Sequence, residues 1–186
     1  MSLGKLHRVM AVLCGILPSL LTAAPSFADA PLEYEAKAAY LLNFSRYVNW
    51  PAADGSPLQV CVLGRDPFGE VLERALQGRS SNGRPLQARR LQQVDEVPGC
   101  QLLYISQSED RNLPAWLPAL QGKPVLTVGE SARFIRDGGI INLLLIRNTV
   151  RFEINLDAAK RAGLKISSRM LGVAEAVYGK PAEGGK

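Results

Sequence analysis

Leu58-Gln59-Val60-Cys61-Val62-Leu63-Gly64, running on into Arg65-Asp66-Pro67, decides the class of the fold. The apolar run is too short and too continuous for a surface helix. It reads as a strand covered on both faces, the kind that parallel sheets contain. Asp66 and Pro67 suit the N-cap and first position of a helix over Pro67–Leu76, which Gln77-Gly78 ends. Arg79–Pro85 reads as a polar loop, Leu86–Leu91 as a weaker strand, and Leu102–Ser106 and Pro124–Gly129 as stronger ones, with a short helix over Leu113–Leu120. Strands alternating with helices make this an α/β protein of three layers, a mainly parallel sheet flanked by helices.

Upstream, Ala36, Tyr40, Phe44 and Tyr47 recur at helical spacing within Pro31–Trp50, and Pro51 stops the run. Glu33 and Glu35 near its start and Arg46 near its end match the helix dipole. Downstream the pattern changes to Gly139–Arg147 and Val150–Asn155 around Asn148-Thr149, a C-terminal antiparallel hairpin. On its second strand Val150, Phe152 and Ile154 share one side, and Arg151 and Glu153 the other. Asn155 can cap a helix over Leu156–Ala162 that Gly163 ends, and Ser168 another over Arg169–Tyr178. One domain is expected over 29–179, followed by a disordered tail, 180–186.

The first residues carry an address. Lys5, His7 and Arg8 precede the apolar stretch Val9–Leu21, and Ser26-Phe27-Ala28 satisfies the small-residue rule for cleavage, so residues 1–28 read as a secretory signal and the protein as periplasmic. An uncleaved anchor fits less well, because the run is shorter than the roughly 20 residues of a bilayer span. Losing Lys5 and Arg8 leaves 20 basic against 17 acidic residues, a formal charge of +3. The basic residues are scattered without aromatic interleaving, which argues against nucleic acid as a partner.

The strongest chemical fact is an absence: His7 is the sole histidine and lies in the leader. The mature chain therefore has no Ser-His or Cys-His catalysis and no His-containing metal site, and two cysteines cannot build a four-thiolate zinc site. Gly64-Arg65-Asp66-Pro67-Phe68-Gly69 lacks both the nucleotide-loop lysine and the dinucleotide glycine spacing, so no cofactor is called for. It is either a plain turn or a small-molecule site at the strand ends, where Glu130 and Ser131 would line the same crevice as Asp66. Cys61 and Cys100, carried into an oxidising compartment, form either a disulfide or two buried thiols. Arg151 and Glu153 read as a solvated ion pair on an edge strand, or as ligand groups. Tyr47 and Trp50 belong to the core or to an exposed partner surface.

Glu35–Pro51, Cys61–Gly69, Pro124–Glu130, Gly138–Asn142 and Val150–Asn155 followed by Ala162–Ser168 resemble, in kind and order, the blocks of the YfiR-like periplasmic proteins. The resemblance implies a repressor that contacts the periplasmic sensor domain of an inner-membrane diguanylate cyclase and so limits cyclic-di-GMP and biofilm formation. It implies an outer-membrane lipoprotein that sequesters the repressor, and redox-sensitive folding through the pair that maps onto Cys61 and Cys100. Association with a second copy stays open. So does the other reading, a periplasmic small-molecule binding module.

Overall fold

The structure, a computed structural model, describes residues 29–51 and 56–179; the expected leader and tail lie outside the described residues. The chain opens with helix α1 (Asp29–Tyr47), which ends where Val48–Asn49 turns into a short strand, β1. The expected helix ran three residues further. Val48 instead pairs with Ile166 of β9 (Lys165–Ile166) in a separate two-stranded ladder.

Five parallel strands form the centre of the main sheet: β2 (Leu58–Leu63), β4 (Arg84–Leu91), β5 (Leu102–Ile105), β6 (Leu126–Gly129) and β7 (Ile141–Ile146). They lie side by side in the order β4-β2-β5-β6-β7. The chain thus steps from β2 outward to β4 and back across to β5, a doubly wound order whose switch point lies between β2 and β5. The weak Leu86–Leu91 candidate is a full partner of β2, matched residue for residue from Leu58↔Leu86 to Leu63↔Leu91.

Both sheet faces are covered, each by its own apolar cluster. On one, α1 and α2 (Glu70–Leu76) bring Leu41, Phe44 and Leu72 against Val60, Val62 and Tyr104. On the other, α3 (Leu113–Ala119) brings Leu113 and Leu117 against Cys61, Leu63 and Leu103. Each fully buried Leu or Phe contributes roughly 1.5–3 kcal/mol. Phe134 is clamped in the second cluster: a Cβ on Gly129 or Gly139 would stand 2.3 or 2.2 Å from its ring carbons, so only glycine fits at either position.

Several local expectations are corrected. Helix α2 begins at Glu70 rather than Pro67, because the Asp66 carboxylate accepts from the Phe68 amide in a turn and Gly69, at φ 51°, breaks the backbone before the helix. The polar loop 79–85 contains a tight hairpin, β3 (Ser80–Ser81) against β4, turned by Asn82-Gly83 with both residues at positive φ. The C-terminal hairpin is as expected, but its turn is Arg147-Asn148, at φ 48° and 58°, so β8 starts one residue early (Thr149–Asn155).

Asn155 caps α4 (Leu156–Arg161) through the Ala158 amide as expected. The last expected helix reduces to α5 (Ser168–Leu171), capped by Ser167 instead of Ser168 and ended at Gly172. Ala176–Tyr178 leaves it as strand β10, parallel to β8, so β8 is not the sheet edge beyond Glu153.

Candidate functional site

A buried polar cluster ties α1 to the carboxyl end of the sheet. Glu130, the residue after β6, accepts from Lys37 and Tyr34 of α1 and from Tyr104 of β5. Lys37 also pairs with Glu33 one turn back, and its ammonium lies 4.5 Å from the centre of the Tyr34 ring. The Lys37 and Glu130 side chains are 3% and 6% exposed, so the pair is held in a low-dielectric setting. Burial and the Glu130 charge push the Tyr34 and Tyr104 hydroxyls up. Burial alone lowers the Lys37 pKa, but hydrogen bonds to Glu130 and Glu33 outweigh it and the net shift is upward. The local pattern carries a signal for this lysine: Lys37, Leu41, Phe44 and Val48 share one helical stripe, and a lysine within an inward stripe needs a buried partner.

Asp66 belongs to a different cluster. Its carboxylate pairs with Arg90 of β4, which also grips Glu73 of α2 and the Gly69 carbonyl. The two clusters touch through Phe68, whose ring meets that of Tyr104 at 4.8 Å, rather than through an open polar crevice. Ser131 is buried, and its carbonyl accepts from the Phe134 amide. At the switch point itself, Ser108 accepts from the Arg65 amide, and a Cβ on Gly64 would lie 2.6 Å from Glu109 Cγ, so these side chains fill that position.

Arg151 and Glu153 form no ion pair among the described residues. Glu153 accepts from Asn142 and from Tyr178 of β10, while Arg151 is exposed. Asn142 is 1% exposed, and its Oδ1 has no hydrogen-bond partner among the described residues.

Cys61 and Cys100 are joined by a disulfide, both residues buried and their Cα atoms 6.0 Å apart. The bridge fastens β2 to the start of β5 inside the second cluster. Trp50, half-buried, donates from Nε1 to the Gln101 carbonyl at 3.0 Å, and with Lys123 lines a cavity of about 860 Å³ at the amino ends of the strands.

Tyr47 is the aromatic sequence candidate that opens onto a surface, with 40% of it exposed. It lines a groove of about 220 Å³ with Phe44, Phe152, Arg169 and Val173. A second groove of about 480 Å³ lies between Leu32, Ala36 and Tyr40 of α1 and Leu145 and Val150 of the hairpin. Tyr40 lines both and donates across to the Val150 carbonyl, so the two hollows lie along α1 and adjoin at its side chain. Leu32, Ala36, Tyr40 and Tyr47 thus form a largely apolar stripe on α1, interrupted by Asn43, beside the one the sheet buries. Sequence periodicity merges the two stripes, because Tyr40 and Phe44 stand at their border.

Among solved structures, the chain is similar in fold to the ABC domain in complex with L-Trp from Streptococcus pneumonia, with a TM-score of 0.55 at 10% identity. That match covers 76% of this chain and 60% of the other. A conserved domain protein from Vibrio cholerae O1 biovar eltor str. n16961 matches at 12% identity with a TM-score of 0.46, over 64% of this chain and 54% of that one. The chain thus spans a little over half the length of these structures, and the first likeness is one of fold alone. The family comparison reaches further: the YfiR/HmsC-like family profile matches residues 34–175, from Tyr34 of the buried cluster to the residue before β10. The chain belongs to the YfiR/HmsC-like family.

Proposed function

We propose that this protein is a periplasmic regulatory binding protein that holds an inner-membrane diguanylate cyclase inactive by contacting its periplasmic sensor domain, and so limits cyclic-di-GMP and biofilm formation. An outer-membrane lipoprotein that sequesters it would release the cyclase. The observation that carries this reading is the family match over residues 34–175. Three features support it. The buried Cys61–Cys100 bridge suits an oxidising compartment outside the cytoplasm. The mature chain has no histidine, and the carboxylates Asp66 and Glu130 are occupied by Arg90, Lys37 and two tyrosines rather than free for chemistry. The two hollows that adjoin at Tyr40 along α1, bordered by the exposed Leu32, Leu145 and Val173, offer a contact surface.

The test is genetic. Deleting the gene should raise cellular cyclic-di-GMP, and restoring it in trans should bring the level back; an unchanged level in the deletion strain contradicts the reading.

A further inference from the structure

We infer that the groove along α1 seats a single amphipathic helix of a protein partner, one whose apolar stripe is flanked by acidic residues. The inference rests on the reading of this protein as a partner-binding regulator and adds where the partner sits and what it must look like.

Length comes first. From Leu32 to Tyr47 the two adjoining hollows together follow about 22 Å of α1 at 1.5 Å per residue, which matches about four turns of a second helix laid beside the first. Backbone chemistry along β8 disfavours an extended occupant. An added strand needs free carbonyls on the wall of the groove, and those of Val150 and Phe152 on β8 are already taken by the Tyr40 hydroxyl and the Glu175 amide. An occupant lying beside β8 therefore does best to satisfy its own backbone and offer side chains, which a helix does.

Charge sets the rest. The exposed apolar anchors are Leu32, Leu145 and Val173, at 65%, 51% and 68% exposure. Arg169 lines the groove at one end, and Arg147 stands at the hairpin tip between the lining residues Leu145 and Asn148 at the other. Neither arginine forms an ion pair among the described residues. Glu33, the acidic lining residue, is spent on Lys37. An apolar floor between these two cations complements apolar residues at helical spacing with Asp or Glu beside them.

A photoreactive amino acid placed at Leu145 or Val173 of the exported full-length chain in living cells tests this, with Glu70 on the exposed surface of α2 as the control position. Sequencing of the crosslinked peptides should return one partner segment from both groove positions, with apolar residues every three or four positions and acidic flanks. The double reversal Arg147→Glu/Arg169→Glu, checked for folding by its disulfide and circular dichroism, should cut the yield by roughly tenfold. Crosslinks to a second copy of this chain, to lipid or to a segment without that pattern overturn the inference, as do equal yields from Glu70 or none from the groove. A helix captured from a membrane protein that is not a cyclase keeps this inference and removes the cyclase reading. Raised cyclic-di-GMP in the deletion strain with no groove crosslink does the reverse.

Discussion

Lys37 on the first helix and Glu130 after the sixth strand, 93 positions apart in the chain, meet as an ion pair with both side chains almost out of solvent. The pair fixes how α1 lies on the sheet, and through α1 it fixes the shape of the open groove. Removing one partner of such a pair strands the other, at about 3–5 kcal/mol, whereas removing both charges costs less. Urea unfolding should therefore show Lys37→Met and Glu130→Gln each losing stability, by up to about that much because Glu33 still faces Lys37 and Tyr104 still donates to position 130. The double variant should lose less than the sum, since it leaves neither charge buried without the other; additive losses would mean that the pair is not coupled.

Alkaline pH should weaken the same cluster. Lys37, Tyr34 and Tyr104 all have raised pKa values in the folded state, against ordinary values of 10.5 for the lysine and 10.0 for the tyrosines. The folded state therefore keeps protons that the unfolded chain gives up, and stability falls as pH climbs past those ordinary values. The urea midpoint should stay level for this cluster between about pH 7 and 9 and drop above about 10. Tyr104→Phe should flatten part of the drop. Ultraviolet absorbance should show one tyrosine ionising only as the protein unfolds, and its ionisation in the folded state would contradict the burial.

Gly129→Ala should be among the most damaging single-methyl changes in the chain, because the Phe134 ring occupies the space its Cβ would take. Overpacking of this kind costs about 1–3 kcal/mol or more. Adding Phe134→Leu to Gly129→Ala should recover part of the loss in thermal melts, and a wild-type melting temperature for Gly129→Ala alone would refute the clamp.

Much of this architecture is legible in the sequence because it rests on local signals. The run Leu58–Leu63 is apolar almost without a break since both of its faces are covered, and the alternation of Val150, Phe152 and Ile154 marks the one hairpin face that packs on α1. What is missed depends on distance. Strand β10 is three residues long, too short for any period to show, and exists because the edge of β8 is there to pair with it. The Lys37–Glu130 pair joins segments whose meeting only the tertiary fold decides. Asp66-Pro67 carries a helix-start signal, yet the aspartate spends its carboxylate on a turn and on Arg90. Asn82-Gly83 does carry a strong hairpin signal, but Ser80 and Ser81 give it no hydrophobic alternation to work with.

The disulfide closes a loop over a sequence separation of 39, which on the chain-entropy view is worth roughly 4 kcal/mol. Replacing both cysteines, Cys61→Ala/Cys100→Ala, should lower unfolding stability by about that amount, up to about 5 kcal/mol. Reductant should lower the wild type similarly and leave the variant unmoved. Equal stability of oxidised and reduced protein would remove the bridge from the account.

The most direct trial of a repressor acting through its surface is reconstitution. Membrane vesicles carrying the proposed partner, an inner-membrane diguanylate cyclase with its periplasmic domain accessible, would receive the purified oxidised protein while conversion of GTP to cyclic-di-GMP is followed. Turnover should fall as the protein is added, and the reduced protein should suppress it less. Undiminished turnover at saturating oxidised protein would contradict the account.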